Sequence, residues 1–435
     1  MQRSQRADVV VIGAGLAGLA AAAWTARAGR SVLVCEKAAA AGGRAQTTSA
    51  GQFRLNLGPH ALYCGGPAER ALRELGVPIE GRRPNASGGY AVARGTAHAL
   101  PGGFLSLLTT GLFGVPAKLE TARLLGGLAR LDPAPLLGTT VNEWLAGAVR
   151  QPEVRALVGA LVRVSSYVAD HDHMSAGTAL AQMQDALGRG VRYLDGGWQV
   201  LVDGLAATAR HAGATLLTSA RAAAIETGDG RRLVRLADGR AIETDAVVVA
   251  AGPDAVAQLL DGRAGAAAHG WAAAATPVRA ACLDIGLTRL PRPRATFALG
   301  IDRPLYLSVH SASARLAPEG GAMIHVLKYL SSADGDAKAD ERELEGLLDL
   351  IQPGWREAVV AHRFLPNMLV SHALPTAASG GVVGRPGVAV PGSDGVYVAG
   401  DWVGPEGLLA DASLASARLA AEAIAARPLR SRAAA

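Results

Sequence analysis

Cysteine, lysine and aromatic side chains are all scarce in this chain of 435 residues. The three cysteines, Cys35, Cys64 and Cys282, show no CxxC or metal-like spacing, which excludes a disulfide-stapled scaffold and a zinc module. An odd, low count fits a reducing cytoplasm. Lysine occurs four times, at 37, 118, 328 and 338, so arginine supplies most of the net charge of +6. The basic residues are spread thinly and form no run long enough for a nucleic-acid surface, so no nucleic-acid partner is expected. No window reaches the roughly 18 continuous apolar residues of a membrane span. The first apolar stretch carries no leader cleavage pattern either, and a cytoplasmic location is expected. The segment 104–115 (FLSLLTTGLFGV) reads as a core or interfacial segment and leaves peripheral membrane contact open.

Half of the residues are apolar, ample for buried cores, and the length suggests two or three domains. The most informative motif comes first. The apolar run 8–12 leads into Gly13-Ala14-Gly15-Leu16-Ala17-Gly18, an alanine-rich helical segment, and a second apolar run ending at Cys35 and Glu36. Strand, glycine turn, helix, strand and acid in this order form the context that a dinucleotide fingerprint needs. Gly13 permits the tight turn, Gly15 lets the backbone approach a pyrophosphate, and Gly18 lets helix and strand pack closely. The helix N-terminus offers unpaired N–H groups to the phosphates. Glu36, with Lys37 beside it, ends the second strand, where a carboxylate can accept ribose hydroxyls.

Downstream, Gly42-Gly43-Arg44 brings glycine and charge back toward a cofactor, and Gly58-Pro59-His60 makes a turn. Helical spacing dominates 86–190. Nucleotide-domain character returns near 191, with a hairpin and the buried strand 245–251 ending at Gly252. It returns again at 395–401 (GVYVAGD), followed by a last helix. The expected fold class is α/β. A discontinuous Rossmann-like nucleotide domain is built from 1–85, 191–265 and 386–435, with a mixed α+β substrate domain from 86–190 and 266–385.

The set formed by GxGxxG, Glu36, Gly42-Gly43-Arg44 and the terminal Val398-Ala399-Gly400-Asp401 resembles the flavin amine oxidase, phytoene desaturase and protoporphyrinogen oxidase superfamily. Gly58-Pro59-His60 resembles the turn of its desaturase-like branch. The resemblance implies an FAD-dependent oxidoreductase with non-covalent FAD, because the C-terminal motif lacks a cysteine. It implies that Gly13, Gly15 and Gly18 meet the pyrophosphate and that Glu36 meets the adenosine ribose. Gly43 and Arg44 would lie along the phosphates and ribityl chain, with Ala222 at the adenine. Gly252, Gly400 and Asp401 belong to the cofactor side, Asp401 bonding a ribityl or phosphate oxygen. Gly407, Leu408 and Leu409 would bring N–H groups to the pyrimidine edge, where negative charge builds on reduction.

His60 is the first candidate for chemistry, orienting substrate or moving a proton; a packing histidine is the alternative. Lys328 is the second: a family lysine holds water near flavin N5, although a solvated strand lysine explains it equally well. Tyr63, Trp198 and Cys64 are weaker candidates on neighbouring segments, and Asp411 reads as a cap of the last helix. The cluster Asp170, His171, Asp172 and His173 lacks metal-ligand spacing, so no metal is expected. Leu408 replaces a ring found in amine oxidases, and aromatics make up 4% of the chain, which disfavours a two-ring amine cage. The preferred function is therefore hydride transfer from a hydrophobic small molecule to flavin, as C–C dehydrogenation. Flavin amine oxidase, a flavin-dependent isomerase without net redox, and an FAD-free escort protein remain alternatives. No second GxGxxG occurs, so an external electron acceptor or donor, such as oxygen or a quinone, is required. Oligomeric state is not legible.

Overall fold

A computed structural model describes residues 5–85, 89–228, 231–260, 262–331 and 335–427. Residues 9–12, the end of strand Gln5–Ile12, and Val32–Cys35 are buried apolar runs, and they pair in parallel within a seven-stranded sheet. Thr215–Leu217 continues the sheet on one side. On the other, Ala241–Val249 pairs in parallel with Gln5–Ile12 and leads into the antiparallel strands Arg231–Leu236 and Ala222–Gly228. Val396–Val398, far along the chain, joins Ala241–Val249 in parallel. The sheet thus draws its strands from three separated stretches.

Helix Leu16–Arg27 packs on one face of this sheet with Gln199–His211 and Leu409–Ala425. Its run of small residues, Ala20 to Ala23, is buried on every side, and this lets the neighbouring helices approach closely. Pro253–Leu259 and part of the following helix cover the opposite face.

A second seven-stranded sheet runs in the order Val359–Ser371, Val278–Leu287, Ala322–Tyr329, Leu305–Val309, Phe297–Gly300, Tyr90–Ala93, Thr96–Ala99. Helix Ala337–Ile351 packs on one face, and the other face continues into a core shared with helices Val141–Ala148, Pro152–Ser166 and Ala176–Gly188. The architecture is α/β, a Rossmann-like sheet with a mixed substrate-side unit.

Local departures from the sequence reading have simple causes. The stretch 86–190 is helical only from 104 onward. Its start holds the hairpin Tyr90–Ala93 and Thr96–Ala99, turned by Arg94 and Gly95 at positive φ (51° and 71°). The alanines of that hairpin favour helix in isolation, and pairing with the sheet overrides them. The run 104–115 is not a uniform core segment. Leu107 and Phe113 are buried, whereas Leu105, Leu108 and Val115 are exposed, as is Leu119 just beyond. Among the described residues no helix is long and apolar enough to cross a membrane.

Candidate active site

The turn Gly13–Gly18 opens where strand becomes helix. Gly13 has φ +103°, a conformation that glycine tolerates. A Cβ on Gly18 would lie 1.9 Å from the Gly13 carbonyl oxygen, so glycine there is required by packing. Gly15 differs. It is the N-cap of Leu16–Arg27, extended, with no side-chain cap, and an added Cβ would find its nearest neighbour 4.0 Å away, at the Gly42 oxygen. A Cβ on Gly43 would likewise stand 3.9 Å from Gly15 Cα. Two glycine backbones thus face each other across a gap beside an uncapped helix N-terminus. The buried Glu36 carboxylate closes one end, accepting the N–H groups of Ala14 at 2.7 Å and Ala38 at 2.8 Å. Lys37, next in sequence, is exposed.

Beyond Gly43 the gap meets a charge cluster around the buried Asp401. Arg44 donates to Asp401 Oδ2 at 2.6 Å and to the Val370 carbonyl at 2.6 Å. His372 Nδ1 lies 2.8 Å from Asp401 Oδ1. Burial alone would raise the Asp401 carboxyl, but the Arg44 guanidinium and the His372 ring outweigh it and hold it far below the carboxylate range. Gly400 N is satisfied by Ser416 Oγ at 2.9 Å, which fixes Asp401 against the last helix. Gly252 is needed for contact with His372, whose ring would lie 2.3 Å from a Cβ there. Ala222 sits at a register shift in the outer hairpin, on the same sheet.

The last helix, Leu409–Ala425, starts without a side-chain cap, preceded by Gly407 at φ +71°. Leu409 itself has φ +55°, unusual for a bulky residue. Arg385 donates to the Gly407 carbonyl at 2.8 Å, and its Nε is buried with no partner among the described residues. Burial pushes the Arg385 pKa down to about 10, opposed by Asp401. Asp411 does not cap its own helix. It accepts Ala68 N at 2.7 Å and so caps Pro67–Glu74; burial raises its pKa to about 6.

The Gly58-Pro59-His60 turn lies between the two sheets. Both His60 ring nitrogens face carbonyl oxygens, Nδ1 that of Gly58 at 3.0 Å and Nε2 that of Arg44 at 3.1 Å. Its ring packs against Trp198, centroids 4.9 Å apart. Burial pushes its pKa down to about 4, against the pull of those carbonyls. Pro59 O accepts the Tyr167 hydroxyl at 2.9 Å, and Tyr167 ends its helix at φ +65°. Tyr63, also buried, donates to Ser165 O at 2.6 Å. Trp198 and Tyr167 thus meet at this turn.

Lys328 is not brought there, which corrects its expected place beside the flavin. Its Nζ bonds Asp340 Oδ1 at 2.7 Å and Glu343 Oε2 at 3.3 Å, both on helix Ala337–Ile351, which packs on the far face of the sheet. Side chains alternate along a strand, so Lys328 and His325, three apart, point to opposite faces. The near face instead carries Cys282, Asp284 and His325, none of them singled out by sequence reasoning. Cys282 Sγ would be 3.4 Å from a Cβ on Gly58. Asp170 pairs with His173 at 2.8 Å, while His171 turns into a pocket between helices with Asn142, Arg155 and Arg163. Cys64 is buried, its backbone N–H bonded to Gly190 O at 3.0 Å.

The family model described as flavin containing amine oxidoreductase matches residues 16–278, well over half of the chain. The chain belongs to that family. A hydroxyneurosporene desaturase from Cereibacter sphaeroides is 30% identical over 284 residues, 57% of this chain and 57% of that protein. The match thus spans little more than half the length of this curated relative. An oxidoreductase from Methanosarcina mazei shares the fold at TM-score 0.74 and 21% identity, over 95% of this chain and 99% of that one. A redesigned putrescine oxidase does so at TM-score 0.75 and 18% identity, over 98% and 100%. At such identities these structures establish the fold alone.

Proposed function

We propose that the chain binds FAD non-covalently and dehydrogenates a C–C bond of a hydrophobic small molecule, passing the electrons to an external acceptor such as oxygen or a quinone. The observation that carries this reading is the open gap between Gly15 and Gly43, which runs from an uncapped helix N-terminus past Arg44 and Asp401. A cradle that an added Cβ would fill, and the unpartnered Arg385 Nε near its far end, both fit a long anionic cofactor.

In this reading Gly13, Gly15, Gly18 and Gly43 leave room for the pyrophosphate. Glu36 holds the ribose, with Lys37 at the surface and Ala222 toward the adenine. Arg44 and Asp401, fixed by Gly252, Gly400 and His372, orient the ribityl region. Gly407, Leu408 and Leu409 present N–H groups to the pyrimidine edge. When bound, the flavin supplies a two-electron hydride acceptor. Gly58, Pro59 and His60 then wall the reacting face. Burial keeps His60 neutral against the pull of the two carbonyls, and it acts by shape and orientation.

The preference for a hydrocarbon over an amine rests on the aliphatic Leu408, on Lys328 facing away, and on the desaturase relative. The test is the absorbance of purified protein, followed by anaerobic bleaching against hydroxyneurosporene in micelles and against putrescine. Bleaching by the polyene, with a product two hydrogens lighter, is expected. Bleaching by putrescine alone would establish an amine oxidase, a product of unchanged mass an isomerase, and folded protein unable to take up FAD an escort protein.

A further inference from the structure

Dehydrogenating a C–C bond removes a hydride from one carbon and a proton from its neighbour. The bound flavin accounts for the hydride and its electron pair; the proton needs an acceptor in the chain. We propose that His325 is that acceptor, acting through Nε2, with Asp284 as the residue that positions it. The inference rests on the dehydrogenase reading above.

Asp284 and His325 face each other on the adjacent strands Val278–Leu287 and Ala322–Tyr329, both with 0% exposure. His325 Nδ1 lies 2.5 Å from Asp284 Oδ1. Arg363 donates to Asp284 Oδ2 through Nε at 3.0 Å and through a second guanidinium nitrogen, which also reaches the Asn56 carbonyl. Burial raises the Asp284 carboxyl, but His325 and Arg363 outweigh it, and it is held below its ordinary value. An ionised Asp284 accepts only, so the proton of a neutral His325 ring sits on Nδ1 and the lone pair on Nε2. That Nε2 is buried and has no partner among the described residues. A buried imidazole with a fixed tautomer and a bare nitrogen is what a general base requires.

Cys282, Asp284 and His325 bring their ligand atoms within 4.8 Å of one another, which raises a cation site as an alternative. Arg363 already compensates the Asp284 charge, and the Nδ1 proton occupies the remaining direction. The arrangement favours a proton relay.

The groups facing the pair are His310, Cys282 and Arg363. The His310 ring meets it edge-on at 4.5 Å and stacks on Tyr193 at 3.8 Å; the Tyr306 hydroxyl is 3.3 Å from His310 Nε2. Burial, with His325 and His60 nearby, pushes His310 well below its ordinary value, so it stays uncharged. Cys282 donates to Asp284 Oδ1 at 3.2 Å and is held protonated by burial and by that carboxylate. Arg363 belongs to Val359–Ser371, on the other side of Asp284. His60 lies across the turn. In the step, the substrate C–H bond breaks, its proton bonds to Nε2, and its electron pair becomes the second bond of C=C. The imidazolium formed is stabilised by Asp284 and releases the proton to solvent after turnover.

Two measurements test this on the flavin-loaded protein. Nitrogen NMR of histidine-labelled protein at pH 7.5 should show His325 protonated at Nδ1, and Asp284→Asn should move that proton. In anaerobic rapid mixing with hydroxyneurosporene micelles, His325→Gln and Asp284→Asn should each bleach about 100-fold more slowly or worse at unchanged flavin content. A proton on Nε2, or bleaching within about threefold of wild type, overturns the inference. If His325→Gln does not fold, Asp284→Asn and the wild-type tautomer decide it. If neither the polyene nor putrescine bleaches wild type, the redox reading falls and this inference with it, whereas wild-type bleaching with unslowed variants overturns the base alone.

Discussion

Replacing Gly15 with alanine should expel the flavin while leaving the fold intact, whereas the same change at Gly18, three residues on, should break the fold. At Gly15 the backbone is extended (φ −78°, ψ −177°), which alanine adopts freely, and the new methyl has no neighbour closer than 4.0 Å. Losing a glycine N-cap costs a few tenths of a kcal/mol, and reduced freedom of the unfolded chain returns about 0.4–1, so apo stability should stay within about 1 kcal/mol. The pyrophosphate, however, needs the space that the methyl fills. Overpacking of this kind costs about 1–3 kcal/mol, which corresponds to roughly 5- to 150-fold weaker FAD. At Gly18 the Cβ would lie 1.9 Å from Gly13 O and 3.1 Å from Ala250 Cβ, so helix and strand must separate, at about 3 kcal/mol or more. Urea midpoints of the two apoproteins, and the flavin-to-protein absorbance ratio after titration with FAD, separate these effects. Apo forms must be compared, because bound FAD itself stabilises. Wild-type FAD affinity in Gly15→Ala would mean that the cofactor does not cross this gap. A loss of more than about 2 kcal/mol in its apo form would make Gly15 a packing glycine like Gly18.

Lys328→Met should cost about 3 kcal/mol in a urea titration, because it strands the buried Asp340, while Glu343 keeps Arg303 at 2.7 Å, and should leave the bleaching rate unchanged. A strongly slowed rate at full flavin content would return Lys328 to the reaction. Asp411 is nearly buried with its pKa raised to about 6 from 3.8, so ionising it in the folded state costs about 3 kcal/mol at pH 8. Because the folded pKa is raised, this cost vanishes as pH falls from about 6 toward about 4. Asp411→Asn keeps an acceptor for Ala68 N and should raise the urea midpoint at pH 8 but not at pH 4; an equal gain at both would refute the assignment. His171 runs the other way. Burial and Arg163 lower its pKa to about 4, so stability should fall between pH 6.5 and 4, and less steeply in a folded His171→Gln variant. Leu105, Leu108, Val115 and Leu119 are exposed within fifteen residues, and the protein should float with liposomes. Glutamine at Leu105 and Leu119 should abolish flotation, and wild type left at the bottom of the gradient would dismiss the contact.

What could be read from the sequence was local, and what escaped depended on distance or on face. Gly13, Gly15, Gly18 and Glu36 lie within one βαβ unit, so spacing alone brings them together. Arg44 and Asp401 were each expected on the cofactor side, but their mutual bond spans 357 residues, and its third member, His372, carries no motif. His372 follows Val359–Ser371, a strand the sequence reading did not name; it holds Pro366, and a proline argues against a strand. The structure shows why it is tolerated: this is the edge strand of its sheet, and the pairing register shifts where Pro366 falls. The misplacement of Lys328 has a different origin. Ala322–Tyr329 is packed on both faces, so nearly every residue in it is buried and the apolar–polar alternation that would mark a face is missing. Only the polar residues record the difference. His325 finds a carboxylate on Val278–Leu287 and Lys328 finds two on a helix, so each polar side chain's face is set by where its counter-charge lies, and those counter-charges sit 41 residues away in one case and 12 in the other. A strand buried on both sides thus hides which face each polar side chain takes until the partner of each buried charge is known.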